Sequence, residues 1–235
     1  MKRILLITVL ALISTLPGFG QKTRNIKKEA IPVTMFQVTY AAQLPALDTK
    51  TDFGFTSTIG GSLIFKSRSG WLFAANGNFI FGDKVNGSRI DLLGESVTTI
   101  YGEVIGGGGI PSSLAFFQRG LHFQAEVGKL FPVWPNPNSG IFVQAGIGYL
   151  RNRIRIDYQV ESQNPPYPLL DDYQYGYDRM RGGLALHAEA GYLLLSNSKI
   201  YNLSISFEAT YARTHPLRDY DFRAFYDENG EQQIM

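Results

Sequence analysis

From Thr34 onward the chain returns again and again to one pattern, apolar and polar residues in strict alternation. It is clearest in "IYNLSISFEATYAR", Ile200 to Arg213. There Tyr201, Leu203, Ile205, Phe207, Ala209 and Tyr211 alternate with Asn202, Ser204, Ser206, Glu208 and Thr210. A period of two predicts a strand with two unlike faces. Six earlier segments show the same period: about 34–44, 53–65, 71–81, 114–130, 140–158 and 181–195. In the second of these Phe53, Phe55, Ile59, Leu63 and Phe65 share the apolar face. The expectation is therefore an all-β fold of seven readable antiparallel strands.

The connections alternate in length. "KSRSG", "PVWPNPNSG" and "SNSK" are short, whereas 82–113 and 159–180 are long and glycine- or proline-rich. Short turns at one end and long loops at the other are the layout of transmembrane β-barrels. The faces agree with that layout. A basic side chain facing mid-bilayer lipid costs roughly 2–4 kcal/mol, and the middles of all seven apolar faces carry no Asp, Glu, Lys or Arg. The opposite faces carry mostly Ser, Thr, Asn, Gln and Gly with a few carboxylates, which suits a small, packed, hydrated lumen. The predicted fold is an antiparallel up-and-down transmembrane β-barrel of about eight strands in the outer membrane. The last strand is not legible: "PLRDYDFRAFYDENGEQQIM" is polar and has no ten-residue alternating segment.

Composition sharpens this picture. "MKR" followed by the apolar run Ile4–Leu16 and "PGFGQ" reads as a secretory signal peptide over residues 1–20. Residues 21–33 form a polar, basic periplasmic lead-in, and 34–235 the barrel domain. Without Lys2 and Arg3 the chain carries 20 basic and 20 acidic residues. That balance gives no argument for nucleic acid. The absence of cysteine excludes disulfides and thiolate chemistry. With three histidines a histidine-rich metal site is not expected, and no cofactor is called for.

On these patterns the chain resembles the small, eight-stranded outer-membrane barrels of Gram-negative bacteria. The stretches "GKLFPVWPNPNSGIFVQAGIGYL" and "YGYDRMRGG" resemble an uncharacterised barrel family of Bacteroidota. The resemblance implies compartment and fold, and little about activity.

Three sets of residues could carry function. His122, Gln124, Glu126, Gln144, His187, Glu189 and Glu208 share the polar parity and should form a lumenal network. They read as a hydrogen-bonded plug, or as an acid–base, proton or metal site; the plug is the simpler reading and no metal is assigned. Arg151, Arg153 and Arg155 of "RNRIRID" share the parity of Ile147 and Tyr149, so they should point outward just above the hydrocarbon. There they could grip lipopolysaccharide phosphates or pair with Asp157. Tyr173, Tyr175, Tyr177, Asp178 and Arg179 offer a partner-binding loop or a loop packed over the barrel mouth. The expected role is non-enzymatic: a structural or partner-binding component of the cell envelope, in contact with lipid, lipopolysaccharide and another envelope protein. The alternatives are a lipid A-modifying enzyme, which would need an outward Ser/His/Glu set, or a narrow channel.

Overall fold

The alternating segments form strands in a computed structural model that describes residues 28–87, 92–93, 99, 101, 103–106, 109–112, 114–158, 166, 169–196, 202–219, 222, 224–226 and 232–234. The signal-peptide segment 1–20 lies outside the described residues. The strands are β1 (Val33–Gln43), β2 (Thr56–Lys66), β3 (Trp71–Gly82), β4 (Val104–Ile105), β5 (Pro111–Ser112), β6 (Leu114–Val133), β7 (Asn136–Tyr158), β8 (Arg181–Leu195), β9 (Asn202–Pro216), β10 (Ala224–Tyr226) and β11 (Gln232–Ile234). Seven of them make one sheet in the order β1-β2-β3-β6-β7-β8-β9. Every neighbouring pair in that sheet is antiparallel. The pairs β4-β5 and β10-β11 are small separate hairpins.

The sheet is curled. The Gln37 side chain of β1 donates to Ser204 Oγ of β9 across the concave side, although β1 and β9 are the two edges of the sheet and share no backbone ladder. An odd number of antiparallel strands makes these two edges run parallel to each other. Their convex side chains are widely open, with Phe36 87% and Phe207 88% exposed.

Each strand presents two chemistries. On the convex side stand exposed apolar residues such as Val38, Ile59, Phe73, Phe123, Val143, Ile147, Leu186 and Ile205. The concave side is layered. At the short-turn end Met35, Leu72, Leu130, Phe142, Leu193 and Leu195 form a dry cluster. At the long-loop end Phe53, Leu92, Leu93, Val104, Leu114, Ile154, Ile156, Leu169 and Tyr177 form another. Between them runs a polar belt. Phe53 therefore corrects the sequence reading that placed it on the outward apolar face. A short helical turn, α1 (Thr49–Asp52), breaks the alternation before it, and Phe53 bridges to Val85 and packs inward beneath the loops.

Space on the concave side is tight, and glycine supplies it. A Cβ on Gly146 would lie 2.1 Å from Ala125 O and 2.7 Å from Glu126 Cγ. A Cβ on Gly128 would lie 2.3 Å from Gln144 Cβ. Large polar residues thus face glycines across the ladder, Gln144 against Gly128 and Glu126 against Gly146. Alternating small and large side chains is how a narrow β interior is filled.

At the short-turn end the segment before β1 is tied down. Asn138, fully buried, donates its Nδ2 to Glu29 O at 2.7 Å. Its Oδ1 accepts from Ile31 N at 3.0 Å and from Lys66 Nζ at 2.9 Å. Lys66 also donates to Ile31 O at 3.0 Å.

Candidate functional site

The polar belt gathers the residues that sequence parity groups together. His122, Gln124 and Glu126 come from β6, Gln144 from β7, His187 and Glu189 from β8, and Glu208 from β9. Alternation puts each on the concave side, and the register brings them level: Gln144 faces Glu189 and Glu189 faces Glu208. His122, Gln124, Glu126, Gln144 and His187 are buried. Glu208 lines the same central cavity, of about 50 Å³, yet its residue surface is exposed. The reason is its strand: among the described residues β9 has no neighbour on its far side.

The hydrogen bonds are directional. Glu126 Oε1 accepts from Asn76 Nδ2 at 2.8 Å and from Gln124 Nε2 at 2.6 Å. Gln144 donates to Glu189 Oε2. His187 Nδ1 lies 2.9 Å from Thr210 Oγ1. His187 Nε2 sits 3.3 Å from Glu126 Oε1, too far off line to bond. The rings of His122 and His187 are neighbours, with centroids 6.0 Å apart and planes tilted by 59°. Among the described residues no Lys or Arg comes within 4.0 Å of the carboxylates of Glu126, Glu189 or Glu208. The belt is an acidic pocket closed above and below by apolar layers.

The convex face at the long-loop end carries a basic rim. Arg151, Arg153 and Arg155 keep outward parity along β7, without a bulge in that stretch. Arg155 Nε pairs with Asp157 Oδ1 at 2.7 Å, and Arg151 Nε reaches Met180 Sδ at 3.1 Å. Two further arginines, not singled out by sequence, share the rim. Arg119 of β6 stands directly opposite Arg153, and Arg213 of β9 directly opposite Leu184. The signal was there, since "LAFFQRGLHF" and "ATYAR" continue their alternation into arginine. Like charges opposite each other on a sheet repel; the Arg119 guanidinium lies over the Phe117 ring at 5.0 Å and donates to Gln118 O at 2.7 Å.

The third set sits over the long-loop end. Tyr177 is buried with its ring 5.2 Å from that of Phe222. Asp178 is buried and holds Arg218 through Nε at 3.1 Å and through NH2. Tyr175 lies under the Arg218 guanidinium at 4.4 Å. Arg179 pairs with Asp52 at 2.7 Å. Tyr173 stacks on Phe222 but remains exposed. Most of this set is thus engaged in packing loops together, and Tyr173 is the member left facing out.

His122 and His187 both lie on the concave side, and His215 stands near the end of β9, opposite Gly182. Among hydroxyls near the long-loop end, Ser113 lies outside the described residues and Thr214 Oγ1 on β9 accepts from Arg181 Nε at 3.4 Å. No family model, curated protein or solved structure matches the chain.

Proposed function

We propose that this chain is an outer-membrane β-barrel with a non-enzymatic role, a structural or partner-binding component of the cell envelope that touches lipid and lipopolysaccharide. One observation carries the reading. The convex face is apolar and free of charge through the middle of every strand, while the concave face carries a polar, acidic belt between two apolar layers. In water such an arrangement leaves its oily side exposed without benefit; in a bilayer both faces are satisfied. No helix among the described residues is long and apolar enough to cross a membrane, so strands would do the crossing.

Closure requires one more strand. The Gln37–Ser204 contact allows their Cα atoms to sit at most roughly 10 Å apart by ordinary bond lengths. One intervening strand needs two spacings of about 4.8 Å. A single strand, antiparallel to both parallel edges, would fit that gap and satisfy both unpaired ladders.

The arginine rim supports lipopolysaccharide as a contact. Its guanidinium groups stand just beyond the charge-free band, where phosphates of the outer leaflet would lie, and paired Arg119 and Arg153 suit bidentate phosphate recognition. The enzymatic alternative needs a nucleophile and base paired at the lipid side; His122 and His187 face the interior, and His215, exposed on the outward parity of β9, makes no hydrogen bond to a serine or threonine among the described residues. The channel reading is opposed by the two apolar layers that close the belt.

The test is fractionation of cells expressing the chain, followed by extraction in mild detergent. Recovery from the outer membrane with bound lipopolysaccharide, lost in Arg119→Gln/Arg153→Gln, is expected. Recovery as a soluble protein would overturn the reading.

A further inference from the structure

We propose that Glu126, His187 and Glu189 form a binding site for a first-row divalent transition cation, of which Zn²⁺ is the type, at the centre of the polar belt. One ligand atom from each lies within 4.8 Å of the other two. The side chains of Glu126 and His187 are completely withdrawn from solvent. Buried carboxylates need a compensating charge, and no Lys or Arg comes within 4.0 Å of them among the described residues.

Two observations turn this acidic pocket into a site. First, polar atoms at the site lack partners: Glu126 Oε2, His187 Nε2 and, on the neighbouring ring, His122 Nε2 are buried without a hydrogen bond, and His187 Nε2 already lies 3.3 Å from the Glu126 carboxylate. Second, the other atom of each candidate ligand is held from behind. Thr210 Oγ1 holds the Nδ1 side of His187 at 2.9 Å; in the tautomer whose Nδ1–H donates to that hydroxyl, Nε2 offers its lone pair to a metal. Asn76 and Gln124 occupy Oε1 of Glu126, and Gln144 occupies Oε2 of Glu189. Metal ligands are typically oriented by such outer hydrogen bonds. The adjoining cavity, about 50 Å³, has room for an ion with its remaining water, since a single water needs roughly 10–15 Å³.

The donor set selects among cations. One imidazole and two carboxylates suit zinc and its neighbours, whereas calcium and magnesium prefer oxygen alone. Without a thiolate there is no preference for copper(I). A bound cation would neutralise the belt and fasten β6 to β8.

The experiment uses the full folded chain in detergent micelles. After equilibration with Zn²⁺ and gel filtration, one zinc per chain is expected to remain. Co²⁺ should give visible absorption bands characteristic of nitrogen and oxygen ligation. Glu189→Gln and His187→Ala should each weaken zinc binding by about 100-fold, a loss at least as large as those seen for outer-shell partners. His215→Ala, at the exposed end of β9, should bind zinc as well as the parent does. Calcium in tenfold excess should not displace the zinc. Absence of retained zinc in the parent, displacement by calcium, or loss of binding in His215→Ala would each overturn the site. If a variant fails to fold, the Co²⁺ titration of the parent decides alone.

Discussion

The Asn138 clasp gives the sharpest stability prediction. Asn138→Ala removes at least three hydrogen bonds, counted among the described residues: to Glu29 O, from Ile31 N, and from the Lys66 ammonium. Two are neutral, at about 1 kcal/mol each, and the charge-assisted one contributes about 1.5–3 kcal/mol. Because the amide is fully buried, water cannot replace it. The expected loss is about 3–5 kcal/mol. Lys66→Met removes the charge together with its bonds and keeps the stem, so no ammonium is left stranded; its cost should be smaller, about 1 kcal/mol, as for buried ions replaced by apolar residues of like volume. The double variant should then be more stable than the two single losses imply, by about 1.5–3 kcal/mol of coupling. Urea unfolding in micelles, followed by the fluorescence of Trp71 and Trp134, measures all four chains. Asn138→Ala within 0.5 kcal/mol of the parent (~ the scatter of neutral surface changes), or Lys66→Met costing more than Asn138→Ala, would refute the reasoning.

Other expectations follow from the same geometry. Phe123→Arg on the convex face should cost about 2–4 kcal/mol when the protein is refolded into lipid vesicles, whereas a water-facing site would tolerate it within about 0.5 kcal/mol; lipid-vesicle unfolding curves distinguish them. Gly146→Ala should cost at least about 1–3 kcal/mol, because its Cβ meets the Ala125 carbonyl at 2.1 Å and the backbone there is held in the β6–β7 ladder; the folded fraction on a mobility gel reports it, and an unchanged fraction would count against the packing. Asp178→Ala should remove the ion pair to Arg218 and make the chain around Leu217 more susceptible to trypsin while leaving the sheet protected. A digestion pattern identical to the parent's would mean the loops are held by other contacts.

The sequence pattern located the seven long strands to within a few residues at most ends and gave the facing of His122, Glu126, His187 and Glu189, because alternation is local and a strand's two faces are written in neighbouring residues. What it missed is nonlocal. In "WLFAA" and "GYLLL" both faces are apolar, so inward Leu72 and Leu193 look no different from their outward neighbours, and the dry layer they build with Met35 and Phe142 was invisible. Phe53 fits the alternation of β2 but belongs to the loop cluster, since its partners Leu93, Val104 and Ile154 lie far along the chain. The clasp of Lys66 and Asn138 and the pairing of Asp178 with Arg218 are likewise long-range contacts between polar residues, which carry no period. The convergence of Glu126, His187 and Glu189 needed the register between β6, β7 and β8, and the sequence supplied only their parity.

The account stands on which side of the sheet meets lipid. The chain has no cysteine, so single spin-labelled cysteines can be placed along β6 from Phe123 to Val127 in protein reconstituted into bilayers. Accessibility to oxygen, which partitions into lipid, should rise at 123, 125 and 127 and fall between them, while a water-soluble nickel reagent should reach none of the three. Nickel reaching those three positions as freely as it reaches an exposed loop such as that of Tyr173 would contradict the central claim.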